Sequence, residues 1–186
     1  MLPALKGLSK SKGLKGLGPS NVRLPAIPLY AGPIGEKSED PLVFEIWQVM
    51  GGKERDLKMA RQCATLKRER LPDATTPELI TYVWLKERAY EFEFQVEAAG
   101  GRQDTGGSVI DFVVRVGKTW AWRIQGSYYH ASYEQQGLDE IRKKNLIGAY
   151  AGKYQIDGVV DIWEHIIYQD RENVFSMALA GYQLPR

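Results

Sequence analysis

The sequence predicts an α/β fold: a central mixed four-stranded sheet flanked by helices, with an extended basic arm ahead of it. Three observations carry that expectation. Apolar residues recur at helical spacing between Asp40 and Glu87, then alternate with polar ones from Tyr90 to Val96, the period of a half-buried strand. Two runs rich in branched and aromatic residues, Val109–Val116 and Thr119–Gln125, meet at the tight turn Gly117-Lys118. A last apolar run, Gly158–Trp163, follows a helical stretch, and strand–helix–strand is the unit that lays its two strands parallel.

Residues 1–40 read as an arm. Leu5-Lys6-Gly7-Leu8, Leu14-Lys15-Gly16 and Leu17-Gly18-Pro19 form an irregular repeat, and Pro25, Pro28 and Pro33 follow. Glycine and proline at that density oppose a stable helix. The arm carries Lys6, Lys10, Lys12, Lys15, Arg23 and Lys37 against Glu36, whereas the whole chain has a net charge of only +2. Residues 41–71 read as a helical extension. Asp40-Pro41 is a cap followed by proline at the first helical position, and Gly51-Gly52 ends that helix. A second helix is expected from Lys53 to Arg70, with charge on its outer faces.

Residues 72–186 read as the α/β domain proper. Thr76 is the expected cap of a helix with Pro77 and Glu78 in its first turn. Three strands then form an antiparallel meander. A helix from Asp139 to Tyr150 should turn Leu138, Ile141, Leu146 and Ile147 inward, and Asp170 should cap the last helix.

Composition narrows the chemistry. Cys63 is the one cysteine among 186 residues, so neither an internal disulfide nor a cysteine zinc site is available. It falls in a helical stretch, where a buried structural thiol is the expectation. No apolar run approaches the roughly 20 residues of a membrane span. The chain is expected to be soluble and cytoplasmic.

Asp111 is the first candidate for chemistry. It lies inside the apolar run Val109-Ile110-Asp111-Phe112-Val113, and a carboxylate there must be paired, solvated or holding a metal. Arg123 and Gln125 share one face of the next strand, and hairpin geometry allows that face to include Asp111. Two readings stand side by side: Asp111 as a metal ligand, and Asp111 as the internal ion-pair partner of Arg123. Glu78 is a second carboxylate, at a helix start that favours negative charge on its own account. His130 sits beside Tyr128 and Tyr129, which can stack on bases or simply pack.

The pieces Thr76-Pro77-Glu78, Phe92-Glu93-Phe94-Gln95, Gly107-Ser108-Val109-Ile110-Asp111-Phe112, Arg123-Ile124-Gln125-Gly126-Ser127-Tyr128-Tyr129-His130 and Ile162-Trp163-Glu164 occur in that order. Together they resemble the PD-(D/E)XK nuclease superfamily, in particular its branch around very short patch repair endonucleases. The resemblance implies Asp111 as metal-binding aspartate and Glu78 as auxiliary acid. Gln125 would stand at the lysine position, His130 would assist proton transfer or contact phosphate, and Glu164 would close the site. The implied cofactor is Mg²⁺ and the implied substrate DNA, with Arg123, Tyr128, Lys12 and Lys15 as nucleic-acid contacts. The sequence departs from the pattern at two points. Arg123 replaces the third-strand acid, and a guanidinium cannot bind a metal. Gln125 replaces the lysine.

Two functions follow from different classes. One is a metal-dependent DNA endonuclease-like protein of repair or processing. The other is a catalytically inactive nuclease-fold structural or adaptor component, docked through residues 1–40 into protein subunits of a large assembly such as a phage particle. In that case the location is the virion.

Overall fold

The computed structural model describes residues 40–98, 108–126 and 133–185. The expected arm, with Lys12 and Lys15, and the segment with Tyr128 and His130 lie outside the described residues.

Helix α1, Pro41–Val49, starts as the sequence indicates. The Asp40 carboxylate accepts the Leu42 N–H at 3.1 Å, and proline occupies the first turn. The same carboxylate pairs with Arg68 of α2, Leu57–Glu69. A short 3-10 turn, Glu54–Asp56, precedes α2, so the single helix expected from Lys53 to Arg70 begins as a tighter coil. Helix α3 spans Thr76–Glu87 and is almost wholly buried through its middle. Its cap is Thr75, not Thr76. The Glu78 carboxylate reaches back to accept the Thr75 N–H at 2.6 Å and the Thr75 hydroxyl at 2.7 Å, which satisfies a backbone donor that the first helical turn leaves orphaned.

The meander is β1 (Glu91–Ala98), β2 (Ser108–Val116) and β3 (Lys118–Gln125), all antiparallel. Gly117 makes the turn between β2 and β3 at φ +68°, a conformation that costs glycine nothing. Helix α4, Tyr133–Leu146, leads to β6, Gly158–Trp163, which lies parallel to β3 with Arg123 opposite Asp161. Trp120 of β3 fits between Gly158 and Gly181, where an added Cβ would come within 2.4 and 2.2 Å of the indole.

The sheet is mixed, as expected, but has six strands in the order β5-β4-β1-β2-β3-β6. The two extra strands, β4 (Tyr150–Ala151) and β5 (Tyr154–Gln155), are a two-residue hairpin that joins β1 through Ala98 and Ala151. Strands that short carry no period for a sequence pattern to reveal. Their presence also shortens the helix expected to reach Tyr150. Of the four residues expected to face inward there, Leu146 is buried, while Leu138, Ile141 and Ile147 are each more than half exposed. The last helix, α5, starts at Glu164 and runs to Leu179, with a break at Asp170, whose φ of −151° and ψ of 69° interrupt the coil. The coil resumes after that kink, and the Asp170 carboxylate accepts the Asn173 N–H at 3.4 Å, so Asp170 caps the helical run that carries Val174, Phe175, Ala178 and Leu179, as expected.

Two buried clusters lie on the two faces of the sheet. The larger joins α1, α2, α3 and α5 to Phe112, Val114, Trp122, Val160 and Ile162. The smaller joins Leu146 of α4 and Ala151 to Val113, Ala121 and Val159. Along β3 and β6, alternate residues serve alternate faces, as the pleat requires. Strands β1 and β2 break the rule together. Phe94 and Phe112 belong to the larger cluster, yet Val96 and Ile110, two positions on and still paired, belong to the smaller. The residues at this crease are Gln95, at φ +52°, and Asp111, the facing positions that the ladder skips between the pairs Phe94–Phe112 and Val96–Ile110.

Candidate active site

The crease determines where Asp111 goes. The β2–β3 ladder begins at Phe112 with Trp122, and beyond it Ile124 N–H donates to Asp111 Oδ2 at 2.6 Å instead of to a strand carbonyl. The carboxylate thus completes the backbone ladder where the strand turns over, one physical reason for an acid in an apolar strand. Its other neighbour is Glu78, at the start of α3, near enough to share a hydrogen bond when one of the two carries a proton. Glu78 is itself buried, 8% exposed, and held by Thr75.

Two carboxyls in one partly buried place resist double ionisation. Burial is the main cause that pushes Asp111 up to about 6, with the charge of Glu78 and the hydrogen bond to it adding to the rise; the Ile124 N–H and the positive charge of Arg123 oppose it.

Arg123 does not pair with Asp111. Its Nε donates to Asp161 Oδ1 at 2.6 Å, and its Nη1 lies 3.4 Å from Asp139 Oδ1 on α4. Lys143 of α4 donates to the other oxygen of Asp161 at 3.0 Å and to Gln183 Oε1 at 2.6 Å. Gln125 Nε2 approaches Asp161 at 3.5 Å. The expectation that one face would carry Arg123, Gln125 and Asp111 together is corrected by the crease. Arg123 and Gln125 reach Asp161, whereas Asp111 meets Glu78. Asp161 is the residue that sequence reasoning missed. Its setting, Val159-Val160-Asp161-Ile162, repeats the signal that singled out Asp111. Burial alone would raise its carboxyl, but hydrogen bonds and charge from Arg123 and Lys143 hold it below the ordinary carboxylate range.

Glu164 is the first residue of α5, with its carboxylate 3.9 Å from where a Cβ on Gly126 would stand. Cys63 is fully buried, and burial pushes its thiol up to about 12, which makes it a structural thiol and not a nucleophile.

Compared with protein-family models, curated proteins and solved structures, the chain matches none.

The donors present suit one kind of metal site and not another. Among the described residues no group of three or more histidine, cysteine or acidic side chains could hold an ion. A closed protein cage is therefore absent from them. Mg²⁺ commonly takes only one or two carboxylates from the protein and the rest from water and substrate phosphate, and the Asp111–Glu78 pair meets that requirement.

Proposed function

We propose that this chain is a metal-dependent DNA endonuclease-like protein, of the PD-(D/E)XK kind that its motifs resemble, with Asp111 and Glu78 at its centre. The observation that carries the reading is the apposition of these two carboxyls, one on a strand crease and one on a helix start, with Asp111 raised to about 6 by burial and by its neighbour. A perturbed acid set beside a second carboxyl by a separate element is a common mark of a working site.

Asp111 and Glu78 would hold the Mg²⁺, which when bound supplies charge neutralisation at the phosphodiester and a more acidic water. The chain's own contribution is positioning. Ile124 N–H fixes one oxygen of Asp111, and Thr75 fixes one oxygen of Glu78, so neither side chain has to be ordered at the moment substrate arrives. Gln125 offers no lysine-like charge, and its contact is with Asp161. His130 remains a proposed proton carrier or phosphate contact, Tyr128 a proposed base contact.

Incubation of supercoiled plasmid with the protein and Mg²⁺ tests the reading. Nicking by the wild type that disappears in Asp111→Asn is expected. An inert wild type would remove the enzymatic reading.

A second reading has its own observation. Arg123 stands at the usual acid position and is consumed by Asp161 and Asp139, so the third-strand contribution to a metal site is gone. That supports a retired nuclease fold serving as a structural or adaptor component of a large assembly, docked by residues 1–40. Deleting residues 1–40 would then abolish assembly and leave the fold intact.

A further inference from the structure

The acid pair needs help in receiving a polyanion, and Arg123 of β3 and Lys143 of α4 are spent. Arg123 and Lys143 are both bound to Asp161. A second feature lies on the side of β1. The segment between α2 and α3 and the crease of β1 enclose a half-open cleft of about 100 Å³, with Arg70, Asp73, Ala74, Phe94 and Gln95 in its lining. Its position follows from chain and register. Ala74 precedes Thr75, which holds Glu78, and Gln95 and Asp111 are the facing positions between the pairs Phe94–Phe112 and Val96–Ile110.

The cleft has a cation to offer. Arg70 is exposed and forms no ion pair among the described residues. Lys67 donates to the Ala74 carbonyl at 2.8 Å, which pins the segment and adds a second positive charge behind it. Among the described residues, Asp73 is the only acid in the lining. Gln95 brings a neutral amide and an unusual backbone. A φ of +52° in a strand is costly for a residue with a side chain, and such conformations collect at functional sites.

Resting on the nuclease reading, we propose that this cleft is a phosphate subsite: it receives one phosphodiester group of a DNA strand next to the acid pair, with Arg70 supplying the charge and Gln95 the amide donor. The crease that exposes Asp111 to Glu78 is also what turns Gln95 into the cleft wall, so one distortion builds both halves of the site.

The test is fluorescence anisotropy of a labelled duplex with the full-length chain in Ca²⁺, over a series of salt concentrations, for wild type, Arg70→Ala and Arg61→Ala. Arg61 is an exposed cation within α2, nine residues and therefore about two and a half turns before Arg70, the residue that ends that helix, and on the opposite side. Arg70→Ala should weaken binding roughly fivefold and lower the slope of log K against log salt by about 1, the loss of one phosphate contact. Arg61→Ala should change neither. Equal behaviour of the two variants overturns the subsite, whether or not DNA is bound or cut, and a wild type that binds no duplex overturns it as well. An Arg70-dependent wild type that binds but does not nick in Mg²⁺ keeps the subsite and removes only the hydrolytic reading. Gln95→Gly, which suits the positive φ, should keep or raise the melting temperature and still weaken binding; unchanged binding would remove Gln95 from the subsite.

Discussion

Asp111 and Asp161 occupy the strands on either side of β3, and each is the sole acid of an apolar run. Their surroundings are opposite. Asp161 has a guanidinium and an ammonium, so its charge is matched and its carboxyl is held low. Asp111 has another carboxyl and a single N–H, so its charge is resisted and its carboxyl rises to about 6. A matched buried charge is a structural strap. An unmatched one is a cost to the fold, sensible only where something else brings the missing positive charge. The contrast makes Asp161 a structural strap and supports the proposal that Asp111 serves function, although the sequence presents them alike.

The largest expected effect separates those assignments. Asp161→Ala leaves Arg123 and Lys143, each about 15% exposed or less, without their partner. Urea denaturation should show a loss of about 3 kcal/mol, the scale for breaking one side of a buried pair. A loss under about 1 kcal/mol would mean that Asp139 and Gln183 already suffice.

Asp111→Asn should do the reverse. It removes a resisted charge while an amide oxygen still accepts Ile124 N–H, so stability at pH 8 should rise by about 2 kcal/mol while metal binding is lost. The pH dependence carries the sign. The folded carboxyl titrates near 6 and its reference value is 3.8. The folded state therefore holds the proton more tightly, and the stability that this confers is present below pH 3.8 and lost as pH rises through 6. The difference is about 3 kcal/mol across that window. Wild type should show this slope in chemical denaturation, and Asp111→Asn should lack it. Asp161 works the other way: its lowered carboxyl confers stability above its reference value of 3.8, lost as pH falls through the folded value.

A smaller effect is expected from Thr75→Ala. The loss of one hydroxyl bond to Glu78 should cost about 1 kcal/mol in thermal melting. It should lower nicking without abolishing it, since the Thr75 N–H still holds Glu78. The smallest is Glu91→Gln, which breaks the exposed pair with Arg115 and should change stability by less than about 0.5 kcal/mol. A larger change there would show that charge balance matters everywhere in this sheet and would weaken the contrast between the two aspartates.

Much of the scaffold is legible in the sequence because periodicity reports it. The cap at Asp40, the Pro77–Glu78 first turn of α3, the hairpin at Gly117 and the parallel pairing of β3 with β6 all follow from local residue types and spacing, whereas the cap of α3 lies one residue before the expected Thr76. What stayed hidden is non-local or aperiodic. The β4–β5 hairpin is too short for a pattern, and Leu138 and Ile141 look like core residues but lie on the open side of α4. Asp111 and Glu78 were both visible as acids needing a reason. Their meeting depends on the crease at Gln95, where two strands change face together, and strict alternation predicts the opposite outcome, Asp111 beside Arg123. Asp161 carries the same signal as Asp111, and nothing in the spacing says that Arg123 of β3 and Lys143 of α4 will meet it.

The central claim is that the Asp111–Glu78 pair is unmatched because it awaits a divalent cation. Calorimetric titration of Mn²⁺ or Mg²⁺ into the wild type and Asp111→Ala tests it most directly. One site per chain in the wild type, released protons at pH 6 and no heat in Asp111→Ala are the results expected. A wild type that takes up no metal, or an Asp111→Ala variant that binds it equally well, would contradict the account.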